Sequence, residues 1–205
     1  MGLSLPDLPV AAEPAAYLTM STINAVTTDL TGEYQLDAFH SRIGFSARHA
    51  MVTKVRGSFN DVDGRGYLDA ANPANSWVTL TIQAASIDTR NADRDNHLRS
   101  NDFFDMEAYP EITFASTAVS ELDEDTWRVT GDLTLKGVTR PVTVDLTWTG
   151  VVTDPFGNLR VGFEGSTAIN RRDWGVNWNA PLEAGGLLVS ERVTLEFEIS
   201  AIKVA

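Results

Sequence analysis

The chain has 205 residues, 43% of them apolar and 21% charged, which suits one folded domain with a sizeable core and excludes a disordered body. A formal net charge of −12 repels phosphate backbones and anionic headgroups, which argues against nucleic acid or electrostatic membrane docking as functions. The absence of cysteine removes disulfides and thiolate metal sites, and no apolar stretch approaches the roughly 18–20 residues of a stable membrane span.

Residues 1–32 are rich in Ala, Pro, Thr and Leu without sustained periodicity, and are expected to form a flexible or loosely docked arm. Their start has no basic segment, and Pro6, Asp7, Pro9, Glu13 and Pro14 interrupt any apolar stretch, so no secretory signal is read there. Cytoplasmic residence is the expectation. Met20 is a second plausible start. From residue 33 to 205 the pattern changes to long alternation of apolar and polar residues. Side chains alternate between the two faces of a strand, so each such stretch is a strand with one wet and one dry side.

A first strand is predicted over Tyr34–Arg48, with Ile43, Phe45 and, near its end, His49 on one parity. A second covers Val55–Leu68, with a turn or bulge at the glycine-rich Asp63-Gly64-Arg65-Gly66. The third, Trp77–Ile87, carries Leu80 and Ile82 on its dry face. Asn91–Ser100 loses the alternation and favours a short helix bearing Leu98, followed by the apolar pair Phe103-Phe104. Strands four to eight follow: Glu111–Ser120 with Phe114, Thr126–Leu135 with Trp127 and Leu133, Val138–Val152 with Val144, Leu146 and Trp148, Leu159–Asn170 with Phe163, and Leu187–Ile199 with Phe197. Lys136-Gly137 and Asp154–Asn158 read as hairpin turns, the first because glycine supplies the positive φ such turns need. Arg171–Gly186 is a longer connection whose Trp174 and Trp178 can cover a barrel end.

Eight strands joined mostly by hairpins, with one helix between the third and fourth, predict an all-β fold: an extended eight-stranded antiparallel up-and-down barrel. Strands of about 10–14 residues at about 3.3 Å each, tilted by about 40°, give a barrel roughly 25–35 Å tall. A barrel of this strand number is either filled by its own side chains or holds one ligand, and alternation does not distinguish the two.

The segments Tyr34–Phe45 with Arg48-His49, Asp93–Ser100 with Asp102–Asp105, Tyr109–Phe114, Gly131–Val142 and Asn170–Gly175 lie in the order of the YceI-like family, which the chain resembles from Tyr34 to its end. The resemblance implies a lipocalin-like barrel whose apolar tunnel binds a polyisoprenoid such as a polyprenyl quinone or phenol, without a further cofactor. It also implies proteins commonly exported to the periplasm, often as homodimers. This chain departs by showing no signal and by carrying the extra arm.

On that resemblance the inward parity becomes a ligand-binding surface: Ile43, Phe45, Leu80, Ile82, Phe114, Trp127, Leu133, Val144, Leu146, Trp148, Phe163 and Phe197. Leu98, Phe103 and Phe104 plug the barrel end or gate it, with Asp93, Asp95, His97 and Arg99 at i,i+4 spacing pairing around them. An inward His49 either bonds a ligand oxygen or pairs with backbone. Arg171 and Asp173 either pin their loop as an ion pair or reach a headgroup.

No metal is expected, because three histidines scattered among separated carboxylates make no ligand set. Asp61, Asp63 and Gly64 do not form an EF-hand, since the positions that should open and close such a loop are Phe59 and Ala70. No nucleophile elbow, phosphate-binding glycine loop or His-Glu-x-x-His sequence is present, so the function expected is non-enzymatic binding, transport or storage of the lipid. A packed barrel acting as a protein-interaction or dimerisation module is the alternative.

Overall fold

A computed structural model describes residues 30–183 and 185–204. The strands, in chain order, are β1 (Gly32–Leu36), β2 (Arg42–His49), β3 (Thr53–Phe59), β4 (Val62–Leu68), β5 (Trp77–Gln83), β6 (Ile87–Asp88), β7 (Glu111–Glu121), β8 (Thr126–Leu135), β9 (Val138–Thr153), β10 (Leu159–Asn170) and β11 (Val189–Lys203). One helix, α1 (Ala92–Arg99), lies between β6 and β7.

These segments make a closed antiparallel barrel of eight strands, because three of the expected strands are each broken in two. β1 and β2 pair in tandem with one edge of β11, as Tyr34 faces Lys203 and Val193 faces Ala47. β4 then pairs with β1, and β3 with β2. The second break falls at Asn60-Asp61 rather than at Asp63–Gly66, which runs unbroken inside β4. Its stray backbone groups are taken up across the sheet: Asn60 N donates to Ser86 O and Gln83 N to Asp61 O. The third strand likewise kinks through a 3-10 turn at Ala84–Ser86, so that the short β6 can pair with β3. All three breaks lie in the part of the chain where strands change partners, a feature that periodicity does not encode.

The remaining ladder runs β4-β5-β7-β8-β9-β10-β11 and closes through β1 onto β4. Neighbours in sequence are neighbours in the sheet, the up-and-down order expected of hairpin-linked strands. Lys136 and Gly137 take φ of 50° and 71°, so the β8–β9 turn is the tight, left-handed kind. β11 extends to Lys203, four residues past the expected end, since Ala201 continues the inward parity and pairs with Leu36 and Val161.

The arm expected over residues 1–32 lies outside the described residues up to 29. Leu30 to Gly32 belong to the barrel: Leu30 is buried, Thr31 Oγ1 accepts from Ala70 N, and Gly32 begins β1. Leu30 caps the end formed by the β7–β8 and β9–β10 hairpins, accepting a 2.7 Å hydrogen bond from Tyr34 Oη. Burial pushes the Tyr34 phenol up to about 12.

At the opposite end, α1 is started by Asn91, whose side chain accepts from Arg94 N. Among the described residues no helix is long and apolar enough to cross a membrane, and no three His, Asp or Glu residues stand close enough to hold a metal.

Candidate functional site: an apolar tunnel along the barrel axis

Two hydrophobic clusters gather toward the two ends of the barrel. One gathers Leu30, Tyr34, Trp127, Trp148 and Val161; the other gathers Ile43, Ile82, Phe103, Ile112, Trp174 and Val176. Along them runs a cavity of about 340 Å³ lined by every strand except the short β6. On β11 its wall is Val189, Val193, Leu195, Phe197, Ile199 and Ala201. Twelve steps at about 3.3 Å, tilted by about 40°, make a tunnel about 30 Å long.

Burial distinguishes a hollow barrel from a filled one. Phe45, Leu80, Phe114, Leu133, Leu146, Phe163 and Phe197 point inward, yet each is only partly buried. Large inward side chains in a filled barrel would be shut off by one another. Here Ile87 is the only large side chain wholly shut off from solvent among the described residues.

On β8, Gly131 makes room for the Phe114 ring. Phe114 lies across Gly131 so closely that a Cβ there would collide with its ring and with the Ala115 carbonyl oxygen.

Of the residues singled out by sequence, Ile43, Phe45, Leu80, Ile82, Leu98, Phe103, Phe104, Phe114, Trp127, Leu133, Val144, Leu146, Phe163 and Phe197 line the tunnel. Two do not. His49 is exposed at the end of β2, in an outer cleft with Asp93, Arg94 and Trp178 that shares Phe45, Leu98 and Phe103 with the tunnel mouth. His49 is the last residue of β2 and is paired with Val189 at the barrel rim, so its side chain reaches the outer cleft rather than the tunnel. Trp148 is buried but stands at the end away from α1, packed edge-on against Phe163 at 5.1 Å.

Leu36, Val142, Val193, Leu195 and Ile199 also line the tunnel, and their alternation with wet neighbours was the signal that could have added them. Arg171, singled out in the sequence for its loop, lines it as well.

The mouth is built by α1 and the connection after β10. Phe103, His97 and Trp178 meet there, the His97 ring edge-on to both, 5.0 Å from Phe103 and 4.6 Å from Trp178. The expected i,i+4 pairs on α1 do not form, because groups outside the helix, backbone and side chain, engage these side chains instead. Asp95 is buried and accepts from Thr89 N at 2.9 Å, Arg99 donates to the Ala85 and Ile87 carbonyls, and His97 meets Asp102 at 2.8 Å. The helix is thereby tied to β6, and Leu98 and Phe104 face the tunnel.

Arg171 does pin its loop, but through carbonyls rather than Asp173: it donates to Val176 O at 2.6 Å and Ser190 O at 3.0 Å. Burial lowers its pKa. The neighbouring ion pair is Arg172–Glu191, at 2.7 Å.

Outside the barrel, Arg160 clamps two turns by donating to Asp37 and to Asp154. Burial alone would raise the Asp37 pKa, but hydrogen bonds from Arg160 and His40 outweigh it and hold the carboxyl below its ordinary value. Hydrogen bonds from Asn158 and Arg160 hold Asp154 well below the usual carboxylate range.

Comparison with known proteins agrees with this architecture. Residues 34–201 match the YceI-like domain. The chain belongs to the YceI-like family. A UPF0312 protein of Photorhabdus laumondii is 44% identical over 155 residues, covering 75% of this chain and 79% of that protein. The crystal structure of Burkholderia cenocepacia BcnA superposes with a TM-score of 0.71 at 25% identity, over 80% of this chain and 98% of that one. A polyisoprenoid binding domain from Saccharophagus degradans, implicated in plant cell wall breakdown, shares the fold with a TM-score of 0.62 at 19% identity, over 83% and 98% of the two chains.

Proposed function

We propose that this protein binds one polyisoprenoid lipid along the barrel axis and carries or stores it without chemical change. The observation that supports the reading is the tunnel itself: about 340 Å³, walled almost throughout by apolar side chains, and about 30 Å long by strand geometry. A long, narrow, apolar channel fits a linear branched hydrocarbon better than a compact ligand. Burying such a chain stabilises the complex by roughly 25 cal/mol per Å² before the costs of association, so few polar contacts are needed. The Saccharophagus degradans domain of the same fold is described as polyisoprenoid-binding. The packed-barrel alternative requires a solid interior, which the half-buried inward residues do not provide.

The test is organic extraction of the purified protein with mass spectrometry, followed by incubation of the stripped protein with a polyprenyl quinone. An isoprenoid in the extract, or stoichiometric uptake, is the expected result. Absence of both would sink the proposal.

A further inference from the structure

Charge is unevenly spread along this chain. Between Asp37 and Asp61 there is no carboxylate, and four basic residues stand there: Arg42, Arg48, Lys54 and Arg56. All four lie on the β2–β3 hairpin, which is a basic finger on a protein of net charge −12. Arg42 is engaged by Glu196 and Glu198 of β11. The other three are exposed, and among the described residues none of them has a carboxylate within ion-pair reach. The Arg48 guanidinium donates only to Val52 O, at 3.4 Å. Arg48 and Lys54 stand directly opposite in the ladder, an arrangement of like charges that destabilises a strand pair. Arg56, two residues beyond Lys54, shares their face of the sheet.

The tip of the finger is apolar. Met51 and Val52 are 69% and 77% exposed, and Val52 N donates to His49 O to close the turn. Ala50 and Met51 take φ of 48° and 61°, a left-handed backbone that favours Asn or Gly. An exposed methionine there is not what the turn itself prefers. Leu187, 40% exposed, adds to the apolar tip from the neighbouring loop, which meets the finger where Ala50 N donates to Leu188 O. This surface borders the tunnel mouth. Arg48, His49 and Leu188 line the outer cleft that shares Phe45, Leu98 and Phe103 with the tunnel, and Asp93 is the one carboxylate of that cleft among the described residues.

We propose that the β2–β3 hairpin docks this protein on a bilayer surface bearing anionic headgroups. Met51 and Val52 enter the interface, and Arg48, Lys54 and Arg56 meet the headgroups. Charge complementarity selects this partner: unpaired cations gain where anionic headgroups crowd, and an exposed apolar tip gains where acyl chains begin. A second copy docking through the same hairpin would bring like charges together. Net charge argues against electrostatic docking, but a membrane acts on charges within about one Debye length, and at this hairpin those are positive. Docking here turns the tunnel mouth toward the bilayer.

The chain has no cysteine, so Met51→Cys can carry a single polarity-sensitive dye at the hairpin tip. Phe156→Cys carries the same dye at the opposite end of the barrel, where Phe156 is 89% exposed. Each labelled full chain is mixed with phosphatidylcholine vesicles, either pure or with about a third phosphatidylglycerol. The dye at position 51 is expected to shift to the blue with the anionic vesicles only, and the dye at position 156 with neither. Replacing Arg48, Lys54 and Arg56 together by Gln is expected to weaken vesicle binding roughly 100-fold, at about fivefold per cation, with Tm unaltered. Should that variant fail to fold, release of the parent protein by added salt decides instead. No binding to anionic vesicles, binding that survives the triple substitution or salt, or a shift at position 156 alone would overturn the proposal. So would a blue shift at position 51 that grows with protein concentration without vesicles, which assigns the hairpin to contact between copies. The vesicles hold no isoprenoid, so each of these results leaves the carrier reading standing.

Discussion

Leu195 lies midway along the tunnel wall on β11, opposite Phe45 of β2 and Thr167 of β10, and is only partly buried. Replacing it with phenylalanine adds three carbons to a side chain that already faces the channel. If the channel is empty, those carbons leave water on folding and contribute up to about 2.4 kcal/mol, taking roughly 0.8 kcal/mol for each buried carbon. If the interior were filled, the same carbons would have to displace neighbours, costing about 1–3 kcal/mol. The sign of the stability change therefore separates the two cases. Urea unfolding of lipid-free protein is the assay, with an expected midpoint equal to or above that of the parent at unchanged slope. The ligand meets the reverse effect: a ring that occupies the space of three lipid carbons removes about 2.4 kcal/mol of burial, roughly a 50-fold loss of isoprenoid affinity. A Leu195→Phe protein destabilised by more than about 1 kcal/mol while still taking up lipid with undiminished affinity would refute the hollow-barrel reasoning.

Three further outcomes follow from the geometry. Gly131→Ala brings a methyl group against the Phe114 ring and the Ala115 carbonyl oxygen, and is expected to cost about 1–3 kcal/mol in urea unfolding; a neutral result would mean that β7 and β8 separate easily. Tyr34→Phe removes the hydrogen bond to Leu30 O, for an expected loss of about 1 kcal/mol near neutrality. Because the folded phenol is pushed up to about 12 from an ordinary value of 10.0, its contribution is complete below the unfolded value and is lost as pH rises toward the folded one. The parent should therefore lose stability over that interval more steeply than the phenylalanine variant, and parallel Tm curves would contradict the assignment. Asp154 is depressed by Asn158 and Arg160, so its contribution is present above the unfolded carboxylate pKa and is lost as pH falls through the folded one. Asp154→Asn should flatten the acid side of the Tm profile, and an unchanged acid slope would remove Arg160 as a clamp of consequence.

Much of the fold is legible in the chain because strand periodicity is a local property. Val129, Leu133, Val144, Leu146 and Phe197 alternate with polar neighbours, and each lies inside. Legibility fails where partners change. The turn-forming pair Asn60-Asp61 marks a break that the surrounding alternation obscures, and His49, on the inward parity, ends β2 at the barrel rim and lies exposed. On α1, the i,i+4 spacing of Asp95 and Arg99 suggested a pair, but the β6 backbone and the carbonyls of the preceding turn engage both. Arg171 was legible as important and illegible as to its partners, which come from residues 5 and 19 positions away.

By itself, then, the sequence determined strand number, hairpin order and the set of side chains that turn away from water, since these depend on alternation and on turn residues such as Lys136-Gly137. Only the tertiary structure decided whether those side chains meet. Whether Phe45, Phe114 and Phe163 fill the interior or stand around a channel depends on barrel radius and strand tilt, which arise from the closure of β1 onto β4 and β11. The same closure leaves the indole nitrogens of Trp127 and Trp148 without a hydrogen-bond partner among the described residues. It places Trp127 and Trp148 around a single phenylalanine at the end of an apolar tunnel.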